Sequence, residues 1–121
     1  MSDQKETVQT AEDALIQKEF DELLQDYLKT NHRKKVEIIT KAFNFACAAH
    51  KGVKRRSGEP YILHPLAVAR IVVSEIGLGS TSICAALLHD VVEDTDYTTE
   101  DIENLFGPKI AQIVDGLTKI A

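Results

Sequence analysis

Leu87-Leu88-His89-Asp90-Val91-Val92-Glu93-Asp94 sets one imidazole and three carboxylates into an otherwise apolar run. Read as a helix, the run puts His89 and Glu93 four residues apart on one stripe. Asp90 and Asp94 lie four apart on the next, about 100° round. Four ionisable groups then crowd one end of one helix. Burying such groups costs several kcal/mol unless they are paired or bound to a metal. The pattern therefore reads as a metal site, whereas a bare His-Asp dipeptide is more often structural.

The chain around it has 121 residues, 44% hydrophobic and 27% charged, enough for one globular domain or most of one. A net charge of -5 argues against a surface that wraps nucleic acid, so any polyanion must meet a local basic patch. Cys47 and Cys84 sit in alanine-rich apolar contexts and read as reduced core residues. The polar start lacks a signal peptide's apolar centre, and no apolar run is long enough to span a bilayer, so a cytoplasmic protein is expected.

The remaining segments read as helices. Residues 1–10 are polar and expected to be flexible. From Ala14, the residues Leu15, Phe20, Leu23, Leu24, Tyr27 and Leu28 recur at helical spacing. Val36, Ile39, Phe43, Ala46, Cys47 and His50 form a second helix, stopped at Gly52. Lys51 to Pro60 holds two glycines, a proline and four cations, and reads as an exposed loop. Pro65 suits a first helical position, with His64 as cap; His64, Ala67, Val68, Ile71, Val72 and Ile76 would then share the inward stripe. Gly77 and Gly79 break that helix. Ser80 to Ser82 can cap the next, from about Ile83 through His89-Asp90. Thr98 and Asp101 resemble a capping box for a short helix, 100–106. A last helix starts at Pro108 and carries Ile110, Ile113, Val114 and Leu117 toward the core.

Three groups carry candidate chemistry. His64 opens one apolar helix and His89-Asp90 closes another, so two packed helices can bring three ligands to one ion; alone, an inward histidine is usually a hydrogen-bonded core residue. Mixed imidazole and carboxylate ligands suit Mn²⁺, Fe²⁺ or Zn²⁺ better than Ca²⁺. Lys51, Lys54, Arg55 and Arg56, ordinarily a solvated turn, lie just before His64, where they can supply phosphate contacts. Glu93 and Asp94 oppose the helix dipole, a placement that suggests use.

Three stretches taken together resemble the N-terminal hydrolase domain of Rel/SpoT-type alarmone enzymes. They are Arg55-Arg56-Ser57-Gly58-Glu59-Pro60-Tyr61-Ile62-Leu63-His64-Pro65, the His89-Asp90 run through Thr95, and Phe106-Gly107 with Val114-Asp115-Gly116-Leu117-Thr118-Lys119. The resemblance covers roughly residues 40 to 121 and implies an all-α HD-domain bundle, truncated on its C-terminal side. It implies removal of the 3′-pyrophosphate of (p)ppGpp, usually with Mn²⁺, and, in long members, a following synthetase domain. Carried over, His64, His89 and Asp90 resemble metal ligands, and Glu93 and Asp94 the acidic pair handling the attacking water. Arg55 and Arg56 match a nucleotide-binding basic pair. Val53 stands where the family commonly has glutamine. The family's fourth ligand, an aspartate on a later helix, is not reached by residue 121, and Asp115 belongs to the earlier Val-Asp-Gly motif.

The reading is therefore a partial hydrolase domain over 11–121 of a stringent-response enzyme, weakly active or inactive by itself and inclined to self-associate through uncovered apolar faces. It binds a guanine nucleotide, with neither nucleic acid nor membrane as partner. Two alternatives remain at this point: an HD phosphohydrolase for another nucleotide, separable by comparative assay, and a non-catalytic regulatory module, separable by metal content.

Overall fold

Burial on every side of one helix organises the chain. In α4 (Ser80–Asp94), every residue from Ile83 to Leu88 is buried, with Asp90 and Val91, a pattern only a helix surrounded by neighbours requires. The computed structural model describes the backbone of residues 2–30, 35–76 and 79–120, and side chains over 11–30, 35–74 and 79–117. It packs α2 (Val36–Ala49), α3 (Leu63–Ile71) and α6 (Pro108–Ile120) around α4. α1 (Ser2–Leu28) lies on α3, and α5 (Thr99–Phe106) on α6. Among the described residues the single extended feature is a bridge between Lys54 and Pro60. The bundle is all-α, as expected. Truncating fully buried Leu87 to alanine would cost about 2–5 kcal/mol.

α1 begins at Ser2, well before Ala14. The intervening stretch has neither glycine nor proline and is rich in Gln, Glu and Lys, so nothing in it stops a helix. Phe20, Leu23 and Tyr27 are buried, and Phe20 stacks on Phe43 of α2 with ring centroids 3.9 Å apart. Leu15 and Leu28 share the spacing but are exposed. Arg70 of α3 clamps α1 from the side, bonding Glu22 at 2.8 Å and Glu19 at 3.2 Å, with Asp26 at 3.5 Å. Partial burial opposes the charged guanidinium, yet Asp26, Glu22 and Glu19 together raise its pKa.

Two expected faces and one expected helix start are corrected. In α3 the buried stripe is Pro65, Leu66 and Ala69, continued by Val73 in a π-helical turn (Val72–Ile76); Ala67 and Ile71 are exposed. The helix is apolar almost all round, so spacing leaves its orientation open, and Arg70 turning toward the α1 carboxylates decides it. The side chain of Ile76 and the whole of Gly77 lie outside the described residues. α4 starts at Ser80, capped by Gly79 without a side-chain bond, not at Ile83. In α6, Ile110, Ala111 and Val114 are buried while Ile113 and Leu117 are exposed.

Other signals hold. Thr98 and Asp101 form the reciprocal capping box of α5, at 3.0 and 3.2 Å. Gly52 takes φ 79 in the turn that leaves α2, and Gly107 takes φ 99 ahead of Pro108; both lie in the left-handed region that favours glycine.

Candidate functional site

Asp90 is only 7% exposed at the far end of α4, where an unpartnered carboxylate would be costly. Two groups meet it. The Tyr61 hydroxyl donates to its Oδ2 at 2.8 Å, and His89 Nε2 stands 3.1 Å from its Oδ1. The other ring nitrogen of His89, Nδ1, lies 2.8 Å from the Ala86 carbonyl. In the tautomer that donates from Nδ1 to this carbonyl, Nε2 presents its lone pair toward Asp90. Two electron-pair donors at this separation suit a shared cation: with metal bonds of about 2.1 Å, a 3.1 Å bite subtends roughly a right angle. The backbone bond at Nδ1 is also the orienting contact that ligating histidines usually have. The donor set therefore fits a divalent ion.

Tyr61 is held as a donor. Burial first, then the hydrogen bond and charge of Asp90 and the charge of Asp94, push its phenol far above the ordinary range. Its ring also neighbours His64, with centroids 6.1 Å apart. His64 is half-buried in the first turn of α3, one residue inside the helix instead of capping it. Among the described residues no three His, Cys, Asp or Glu side chains converge as a preformed metal cluster. The structure thus brings His89 and Asp90 together and sets His64 beside the ring of Tyr61, whose hydroxyl bonds Asp90.

A cleft of about 730 Å³ is lined by Arg55, Arg56, His50, Tyr61 and Asp94, and Tyr61 links it to the pair through its bond to Asp90. The basic segment is more ordered in shape than a plain loop. Arg55 N donates to Glu59 O at 2.9 Å, Gly58 N to Arg55 O at 2.8 Å and Tyr61 N to Val53 O at 3.0 Å, making a tight hairpin-like turn. Gly58 takes φ 90 at its tip. Arg55 pairs loosely with Glu59 at 3.7 Å, both about half exposed. Lys54 lines the same cleft but is ion-paired with Glu12 of α1. Lys51 instead lines a separate cavity of about 360 Å³ between α1 and α2. Glu93 and Asp94 are both exposed in the last turn of α4, and of the two it is Asp94 that lines the cleft.

Two residues not singled out for chemistry in the sequence belong here. Tyr61 lies inside the stretch quoted above, where its hydroxyl gives no sequence signal. His50 ends α2 and is 4% exposed, with Nε2 3.5 Å from Asp94 Oδ2. The one available signal was a histidine closing an apolar stripe.

Residues 42–121 match the model of a family described as HD domain. A Mycobacterium leprae (strain TN) protein named probable GTP pyrophosphokinase is 43% identical over 122 residues, 99% of this chain and 14% of its own length. An Aquifex aeolicus (strain VF5) guanosine-3′,5′-bis(diphosphate) 3′-pyrophosphohydrolase is 46% identical over 93 residues, 77% of this chain and 13% of its own. A solved structure of a metazoan SpoT orthologue, described as hydrolysing ppGpp, superposes with a TM-score of 0.61 at 36% identity, covering 64% of this chain and 46% of that one. The chain spans 13–14% of the length of these two curated relatives.

Proposed function

The chain belongs to the HD-domain family, and from that premise we propose that it carries a metal-dependent (p)ppGpp 3′-pyrophosphohydrolase site. The observation that carries the reading is the His89-Asp90 donor pair, 3.1 Å apart, beside a cleft walled by two arginines. An anion-binding cleft next to a cation-binding pair is what phosphate-ester hydrolysis needs: charge is neutralised on the substrate while water is activated.

His89 Nε2, Asp90 and His64 are assigned to hold the ion, with Mn²⁺ as the metal that the resemblance implies. When bound, such an ion polarises water and phosphate oxygens as a Lewis acid. Asp94, exposed in the cleft, accepts the proton of the attacking water, and Glu93 one position before it assists in orienting that water. Arg55 and Arg56 bind phosphate oxygens; Lys54 adds charge once released from Glu12, and Lys51 contributes from the adjoining cavity. The oxygen of water forms the new bond to phosphorus, the bond from phosphorus to the 3′-oxygen breaks, and the proton ends on that 3′-oxygen. The products are GDP or GTP and pyrophosphate.

Among the described residues no helix is long and apolar enough to cross a membrane; a cytoplasmic setting with a soluble nucleotide follows from the proposed substrate. Exposed Leu105, Ile113 and Leu117 supply apolar surface for the self-association proposed for the chain. The test of function is pyrophosphate release from ppGpp with and without Mn²⁺. Equal turnover of unrelated nucleotides would overturn the substrate, and turnover in chelator would overturn the metal.

A further inference from the structure

We infer that His50 is a positioning residue that holds Asp94 in the orientation needed to receive a proton from water, an inference that rests on the hydrolase reading above. His50 closes α2 at 4% exposure, and both ring nitrogens face acceptors: Nδ1 is 3.2 Å from the Ala46 carbonyl and Nε2 3.5 Å from Asp94 Oδ2. At that separation the second contact falls short of a formed hydrogen bond. Nε2 is the buried side-chain atom that lacks a hydrogen-bond partner among the described residues. Buried polar atoms are seldom left so, and Asp94 is the acceptor within reach. A small rotation of the Asp94 side chain, which is 44% exposed, closes the gap.

The imidazole itself cannot move as freely. Its ring packs against Tyr61 with centroids 4.8 Å apart, and Tyr61 is fixed by its bond to Asp90 at 2.8 Å. Tyr61 and His50 thus form one platform beside two aspartates of a single helix face, Tyr61 donating to Asp90 and His50 Nε2 facing Asp94. Other charged groups lie around the imidazole: Glu12, Asp13, Lys51 and Lys54 line the cavity behind it, and Arg55, Arg56 and Glu59 the cleft in front. Asp94 is the carboxylate paired with Nε2. In the tautomer that carries its proton on Nε2, His50 donates to one oxygen of Asp94 once that gap closes, which leaves the second oxygen for water.

The test compares His50→Gln and His50→Phe in the full-length protein with Mn²⁺ and ppGpp. Gln keeps an N–H donor of similar reach, whereas Phe keeps ring volume without one. His50→Phe is expected to lower kcat about 10- to 100-fold, as loss of an orienting contact does, with KM, Mn²⁺ affinity and Tm little changed. His50→Gln is expected to retain most of kcat, and His50→Phe to add little further loss in an Asp94→Asn background. Equal losses in Gln and Phe, an unchanged kcat in Phe, or independent losses with Asp94→Asn would overturn the inference. If the wild-type protein releases no pyrophosphate from ppGpp, the hydrolase reading fails by itself. The contact is then read by ¹⁵N NMR of the His50 ring: a shift of Nε2 on Asp94→Asn is expected, and no shift would overturn the contact too.

Discussion

The hydroxyl of Tyr61, in the turn ahead of α3, donates to Asp90 Oδ2 near the end of α4 at 2.8 Å, joining the basic segment to the acidic one. Because Asp90 is 7% exposed, removing the donor leaves a buried carboxylate oxygen unpaired. Tyr61→Phe is expected to cost about 1–3 kcal/mol of stability in urea denaturation. It is also expected to weaken Mn²⁺ binding about 10-fold or more in a chelator competition. Unchanged metal affinity would mean that the bond does not orient Asp90.

Arg55 lines the cleft and not the metal pair. Arg55→Ala is therefore expected to raise KM for ppGpp about tenfold, the loss of one charge-assisted contact, with kcat and bound Mn²⁺ unchanged. Loss of metal on elemental analysis of this variant would contradict the assignment.

Burial pushes the Cys47 thiol up to about 11, with the charge of Asp13 adding, and the Cys84 thiol up to about 12, slightly offset by a backbone hydrogen bond. Native protein at pH 8 is expected to resist iodoacetamide and to react fully once unfolded, since the thiolate is the nucleophile. Both folded values lie above the ordinary 9.0. The unfolded chain therefore loses these protons first, and the stability they contribute is intact below pH 9 and declines as pH rises toward 12. Urea midpoints at pH 8 and pH 10.5 check the sign; a rise would contradict it.

Arg70 is surrounded by Glu19, Glu22 and Asp26. Each pair is partly exposed, so Arg70→Met is expected to cost only about 1 kcal/mol in low salt and less at high salt, where screening shortens the reach of the charges. A loss that grew with salt would mean that packing of the side chain, and not charge, joins α3 to α1.

How far the sequence could be read depends on whether partners lie on the same element. The capping box of Thr98 and Asp101 and the core run of α4 are local, and both were legible. His89 beside Asp90 was legible as a pair for the same reason. The inward face of α3 was not, because nearly every residue there is apolar and the orientation comes from Arg70 meeting α1. Ile113 and Leu117 share the spacing of Val114, yet the described bundle covers only the Ile110-Val114 side of α6. His50 looked like one more position on an apolar stripe; its meaning comes from Asp94 on another helix. Tyr61 likewise gains a role only once the turn folds back on α4.

The central claim is that the His89-Asp90 pair makes the chain's chemistry metal-dependent. The most direct measurement is pyrophosphate release from ppGpp by the full-length protein, metal-stripped and then titrated with Mn²⁺, beside His89→Ala. The account predicts release of GDP and pyrophosphate that rises with bound Mn²⁺ and is abolished in His89→Ala, whose far-ultraviolet circular dichroism stays helical. Release at the wild-type rate by His89→Ala, or by the stripped protein in chelator, would contradict it.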